Sequence, residues 1–271
     1  MIIDGHAHAC GDFLTVEGIL ERLNEAGVDK VVLVPGELDS TKNYSIPYLA
    51  KIFPNIVQFM NYVTKVVIST TGSIKHIHKG NKYVYFLSKQ TEGRVLQYLW
   101  ITQQESDPIK YLSSKLSEWK FKGIKMHQCW ERFSINSSYF INVAGWAEKN
   151  DLPLFIHLYS NKDVDEIIKY KKKHPGLKLI IAHIFGINKF VKENLRDDNL
   201  YFDLSSFQLT SKRRWNTTIK NIGIKNILLG SDTPYGKNTL KRNIERVEAL
   251  NISSAEKDLI LGGNLCRLLK L

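Results

Sequence analysis

The feature that most constrains this chain's fold is a repeat of pattern rather than of residues. Short, almost unbroken apolar runs alternate with longer amphipathic stretches along its length. An apolar run with no polar alternation suits a strand buried on both faces. An amphipathic stretch after each run suits the helix covering it, which together predict βα units and a parallel sheet. Runs at 2–8, 28–34, 94–101, 123–127, 154–158, 179–183, 200–204 and 227–230 read as eight strands. Helical periodicity falls at 16–26, 108–119, 139–149, 164–173, 189–195 and 213–221, with closing helices at 240–250 and from 254 onward. Eight such units predict an α/β fold, a (β/α)8 TIM barrel. The 271 residues suit the roughly 250 that such a barrel takes, so 1–271 is expected to be a single domain. An open doubly wound sheet is the rival, but no Gly-rich phosphate loop follows the first strand. The stretch 37–89 is too long for one helix and carries Pro47, Pro54, Gly72 and Gly80. It reads as an elaborated second βα unit, with helices expected at 44–53 and 82–89, over the C-terminal mouth of the barrel or against its side.

Charge narrows the partners only a little. Lys and Arg number 38 against 27 Asp and Glu, a formal charge of +11. The local basic runs at 169–173 and 212–214 are not interleaved with the aromatics that would stack on bases, so they read as solvated helix faces and no nucleic-acid partner is expected. No apolar run is long enough for a bilayer, and the start, Met1-Ile2-Ile3-Asp4, lacks the pattern of a signal peptide, so no membrane partner is expected. Cys10, Cys129 and Cys266 are odd in number and far apart, which fits a reducing cytoplasm. A small-molecule substrate is the expected partner, and a homo-oligomer is left open.

The chemistry concentrates at strand ends. Five of eight histidines (His6, His8, His127, His157 and His183) fall at or near the C-terminal ends of strands, the face on which barrel active sites form. In His6-Ala7-His8 alternate residues share one face, so both imidazoles can reach one metal ion. Spacing alone proves little, because His76-Ile77-His78 repeats it inside the insertion with no acid evident nearby. What distinguishes the first pair is its company: His157 ends the fifth strand, His183 the sixth, and Asp232 follows the eighth in Leu229-Gly230-Ser231-Asp232-Thr233-Pro234. By itself Asp232 would read as a turn cap before Pro234. In a closed barrel the eighth strand neighbours the first, and imidazoles plus a carboxylate with one position open are how catalytic zinc is held. Lys125 and His127 share a face of the fourth strand, and a lysine aimed into a barrel is costly without work or a partner. Cys10 and Cys129 lie two residues beyond His8 and His127 and read as buried structural thiols.

These motifs, with Ile3-Asp4-Gly5-His6-Ala7-His8 opening the chain and Ile260-Leu261-Gly262-Gly263-Asn264-Leu265-Cys266-Arg267-Leu268-Leu269 closing it, resemble the amidohydrolase superfamily, in particular its amidohydrolase-related (amidohydrolase 2) branch. The resemblance implies a divalent metal, most often zinc, with manganese the alternative, bound by His6, His8, His157 and Asp232. It implies a His183 that holds or activates water. One ion is the favoured reading; two would follow if Lys125 were carbamylated, as in binuclear relatives. The branch also holds decarboxylases and some metal-free lactone hydrolases. Relatives that cut DNA would place a glutamate on the third or fourth strand, where this chain has Lys125.

The expected activity is therefore metal-dependent hydrolysis of a C–O or C–N bond (lactone, ester or amide) in a small carboxylated substrate. Asp232 would act as proton acceptor and donor, with His183 orienting the nucleophile. Lys125, His127 and Arg132, the last from the aromatic loop Trp130-Glu131-Arg132-Phe133, would bind substrate. Non-oxidative decarboxylation at the same site is the alternative. A basic binding protein without catalysis is the third reading.

Overall fold

The computed structural model describes residues 1–37, 39–53, 56–71 and 77–271. Eight parallel strands follow one another in sequence order: β1 (Ile3–Ala9), β2 (Lys30–Pro35), β3 (Val95–Trp100), β4 (Gly123–His127), β5 (Leu154–His157), β6 (Leu179–Ile181), β7 (Leu200–Asp203) and β8 (Ile227–Leu228). β8 is only two residues long, but the chain beyond it continues along β1. Gly5 N donates to Leu229 O (2.9 Å), Asp232 N to His6 O (2.7 Å) and His8 N to Thr233 O (2.8 Å). These bonds close the (β/α)8 barrel and lay Asp232 beside the two histidines of β1.

Alternation sorts the strand residues into two layers. Val32, Tyr98, Phe155, Ile180, Tyr201 and Leu228 pack in one buried cluster, inside the barrel with Lys125, whose register partner on β5 is Phe155. Leu99, Ile124, Leu154 and Ile156 belong to a second cluster with Phe140, Val164 and Trp215 from the covering helices. Those helices are α1 (Val16–Ala26), α2 (Ile56–Thr71), α3 (Ile77–Gln90), α4 (Pro108–Trp119), α5 (Ser138–Lys149), α6 (Asn161–Lys173), α7 (Ile187–Lys192), α8 (Lys212–Ile222), α9 (Thr239–Glu248), α10 (Ser254–Asp258) and α11 (Asn264–Leu269). Their starts follow side-chain chemistry. Thr15, Asp107, Ser137, Ser160, Ser211 and Ser253 each accept from a first-turn backbone N–H, satisfying a donor that has no partner inside the helix.

The second βα unit is elaborated as expected, but its helices are placed differently. The 44–53 segment is not a helix beyond the 3-10 turn Leu49–Lys51. Pro47 lacks the N–H a helix needs, Tyr44 N is spent on Pro234 O (3.0 Å) and Ala50 N on Gln208 O (3.0 Å), so the segment lies against the later loops. The helix expected at 82–89 starts earlier, as α3. Its Val84 and Leu87 pack with Leu33 and Val95, which makes α3 the barrel's covering helix for this unit. Asn81 pins it: the amide donates to Trp100 O (2.8 Å) and accepts from Trp100 N (2.9 Å). α2 is the true addition. His76 of the second histidine pair lies outside the described residues; His78 sits 3.1 Å from Glu105, so an acid does lie beside the second histidine.

Candidate metal centre

β1 delivers His6 and His8 to the C-terminal mouth, both almost fully buried. Each ring has its outer nitrogen occupied. His8 Nδ1 lies 2.8 Å from Pro35 O, and a carbonyl only accepts, so Nδ1 carries the proton and Nε2 presents a lone pair inward. His6 Nδ1 faces Asp203 Oδ2 (3.3 Å) and Ser205 Oγ (3.0 Å), which again leaves Nε2 inward. The Asp232 Oδ1 oxygen lies 3.7 Å from His6 Nε2 and 3.4 Å from His8 Nε2. Its other oxygen accepts from the Ser206 hydroxyl. The ligand atoms of His6, His8 and Asp232 all lie within 4.8 Å of one another, close enough to share one ion.

Across the mouth stand His183 and His157. His183 Nε2 is 3.2 Å from His157 Nδ1, and His183 Nδ1 is 2.9 Å from Ser205 Oγ. His157 Nε2 meets Asn61 Oδ1 at 2.8 Å. Because the Asn61 amide donates to Leu158 O (3.0 Å) and Tyr159 O (2.9 Å), its oxygen must be the acceptor, which places the His157 proton on Nε2 and the lone pair on Nδ1. Of the four expected ligands, His6, His8 and Asp232 are thus gathered. His157 stands on the far side, grouped with His127 and Cys129 within the same 4.8 Å limit. A third grouping, His6, His183 and Asp203, joins the two sides. His127 stacks flat between His157 (4.0 Å) and Trp100 (5.4 Å).

Lys125 occupies the centre. It is fully buried, with Nζ 3.1 Å from His6 Nε2 and 3.9 Å from the centre of the Phe155 ring. Burial lowers its pKa against the pull of Asp232 and Asp203. Burial likewise holds His6, His127 and His157 well below the usual imidazole range and His183 at about 4. That shift favours the neutral form of these four rings, the form a metal requires. The rings of His6, His8, His157 and His183, each with a partner on one nitrogen and a lone pair on the other, fit a divalent ion of borderline softness.

Backbone conformation sets these groups in place. His183 (φ 55°), Ser206 (φ 61°) and Asp232 (φ 62°) all lie in the left-handed region, an uncommon choice for residues with a side chain. Gly230 is required for close approach: a Cβ there would lie 2.3 Å from Asp203 Oδ1.

Asn61, Asp203 and Ser205 were not anticipated from sequence. Asp203 lies one residue before the end of the strand predicted at 200–204, which is the available signal; Asn61 lies in the insertion and carries none. Arg132 is not brought into the cluster. Its guanidinium is engaged by both oxygens of Asp163 (3.1 and 3.2 Å) and lies over the Tyr159 ring. Its planar fork is satisfied by the protein's own acid.

Fold and site together define a parallel barrel with a buried histidine and carboxylate centre at the mouth where barrel enzymes work. The chain belongs to the TatD-related DNase family, whose model matches residues 3–260. No protein of curated function matches it. Among solved structures it is similar to a 2,6-dihydroxybenzoate decarboxylase complexed with 2,6-dihydroxybenzoate (TM-score 0.73, 14% identity, covering 100% of this chain and 99% of that one). It is also similar to a putative amidohydrolase from Staphylococcus aureus (TM-score 0.71, 15%, 100% and 99%). A third is a probable 2-pyrone-4,6-dicarboxylic acid hydrolase from Acinetobacter baumannii with citric acid bound (TM-score 0.69, 14%, 100% and 99%). At such identities the likeness is one of fold, the (β/α)8 barrel.

Proposed function

We propose that this protein is a metal-dependent hydrolase that cleaves a C–O or C–N bond (lactone, ester or amide) in a small carboxylated molecule. The observation that carries the reading is the gathering of inward lone pairs from His6 and His8 beside Asp232, with the His157 lone pair facing His183 across the mouth. His6, His8 and Asp232 would hold the first ion, zinc by preference and manganese as the alternative. A second ion would require His183 and His157 together with a carbamylated Lys125. A bound divalent ion supplies Lewis acidity and lowers the pKa of water towards roughly 7.

The chain's own residues do the rest. Asp232 is the carboxylate nearest both β1 imidazoles; Ser206 holds one oxygen and leaves Oδ1 to take and return a proton. His183, fixed through Nδ1 by Ser205, presents Nε2 to orient the attacking group. Lys125, at the centre of the mouth, would hold a substrate carboxylate, and His127 would form a wall beside it. The fourth strand thus contributes an amine where a nuclease of this architecture would be expected to have a carboxylate. The free thiols Cys10, Cys129 and Cys266 support a cytoplasmic setting, and among the described residues no helix is long and apolar enough to cross a membrane.

Decarboxylation is the second reading. It is favoured by the aromatic wall of Trp100 and Trp130 (5.0 Å apart) beside His127, which suits a planar unsaturated acid. Purified protein loaded with zinc or manganese should hydrolyse members of a carboxylated lactone and ester panel, and Asp232→Asn should abolish turnover with the circular dichroism unchanged. Full activity in that variant would overturn the role of Asp232. Release of CO2 without uptake of water would replace hydrolysis by decarboxylation, and cleavage of DNA would replace the small-molecule reading altogether.

A further inference from the structure

The basic run at 212–214 reads from sequence as a solvated helix face; Lys212 and Arg213 are indeed exposed, but Arg214 is partly buried. The run lines a cleft of about 670 Å³ on the outer rim of the C-terminal face, bounded by α2, the loop before α7 and the start of α8. That volume falls in the range of small-molecule sites, about 300–1,000 Å³. Lys51, Lys189, Lys212, Arg213 and Arg214 all line it, and among the described residues no Asp or Glu does. Elsewhere on this molecule surface lysines take carboxylate partners, as in Lys115–Glu118 (2.7 Å), Lys172–Glu193 (2.7 Å) and Lys178–Asp151 (2.5 Å). In the cleft, among the described residues, only Lys189 does, to Asp165 (2.6 Å).

Two further features make this concentration costly for an empty protein. Lys212, Arg213 and Arg214 occupy the first turn of α8, where the aligned peptide dipoles already place positive charge and acidic residues are preferred. α1, α6 and α10 follow that preference with Glu17, Asp163 and Glu256. Arg214 is also largely withdrawn from water, with Nη2 on Ile184 O (2.8 Å) and no carboxylate partner. Its pKa falls to about 10 through that burial. A multiply charged anion would relieve both penalties.

We propose that this cleft is a second ligand site, separate from the metal centre, that takes a phosphorylated small molecule. Several converging cations, two of them forked guanidinium groups, suit the oxygens of a phosphate better than a single carboxylate. The neutral side chains of Gln58, Asn161 and Asn188 complete a hydrogen-bonding wall for the rest of the ligand. A nucleic-acid strand is disfavoured because Tyr48, an aromatic of the cleft, is already packed against Phe207 (5.1 Å) and the Arg246 guanidinium (5.3 Å). The inference does not depend on which bond the metal centre breaks.

The test is calorimetric titration of the full chain with inorganic phosphate and with pyrophosphate at constant ionic strength. The double variant Lys212→Glu/Arg213→Glu is compared with Lys110→Glu/Lys149→Glu, which changes net charge equally at a distant surface. Neither cleft residue touches the metal cluster, so a loss of binding would originate in the cleft. Saturable one-to-one binding of pyrophosphate, weakened at least about tenfold only in the cleft variant and with unchanged circular dichroism, is the expected result. Absence of saturable binding, or equal affinity in both variants, would overturn the site. Binding confined to a single-stranded oligonucleotide, with steep salt dependence, would overturn the small-molecule assignment.

Discussion

Asn61 carries more of the centre's geometry than its chemistry suggests. Two donated hydrogen bonds to Leu158 O and Tyr159 O lock the amide, and the locked oxygen then decides which His157 nitrogen carries the proton. Asn61→Leu should lower zinc affinity or turnover by about 10- to 100-fold, the usual effect of losing a group that orients a ligand. Zinc titration against a chromophoric chelator reads it, and an unchanged affinity with unchanged turnover would show that His157 orients itself. Arg132 offers the opposite case. Its carboxylate is Asp163, so Arg132→Ala should leave KM for the substrate unchanged while costing about 1 kcal/mol of stability. A large rise in KM would restore its expected role in substrate binding. Gly230→Ala should be among the more damaging small substitutions, because the added methyl would press on the Asp203 carboxylate. A loss of about 1–3 kcal/mol in urea denaturation is expected.

Among the elements, the strands and most covering helices were legible, because a strand buried on both faces must be apolar and its helix must be amphipathic. α5, expected at 139–149, forms at Ser138–Lys149, and α8, expected at 213–221, at Lys212–Ile222. The insertion was not legible in the same way. Its 44–53 segment has helical composition, yet its backbone groups are spent on Pro234 and Gln208, partners about 160 to 190 residues away that no local pattern announces. α3 depends on a nearer partner, 19 residues along the chain, since Asn81 bonds both backbone groups of Trp100. Asn81→Ala leaves that buried N–H and C=O unpaired and should cost about 2–3 kcal/mol. Hydrogen exchange should then quicken in α3 before the β4–β7 region, and uniform quickening would argue against a local anchor.

At the scale of the molecule, closure of the barrel assembles the centre from β1, β4, β5, β6, β7 and the segment after β8. An ion bound to that assembly binds the folded state and not the unfolded chain, so it should stabilise the whole barrel. Protein stripped by chelator should melt several degrees lower than protein with zinc at about 100 times its dissociation constant, where linkage contributes about 2.7 kcal/mol. Coincident melting of stripped and zinc-supplied protein would count against a metal at this centre. What the sequence determined by itself was the βα repeat, the strand-end position of the histidines and the family they resemble, since all three follow from local pattern and order along the chain. Only the tertiary structure decided that His6, His8 and Asp232 gather while His157 stands across the mouth, that Asn61 reaches in from the insertion, and that Arg132 is taken by Asp163. Those outcomes depend on contacts between residues far apart in the chain, and such contacts exist only after the barrel has closed.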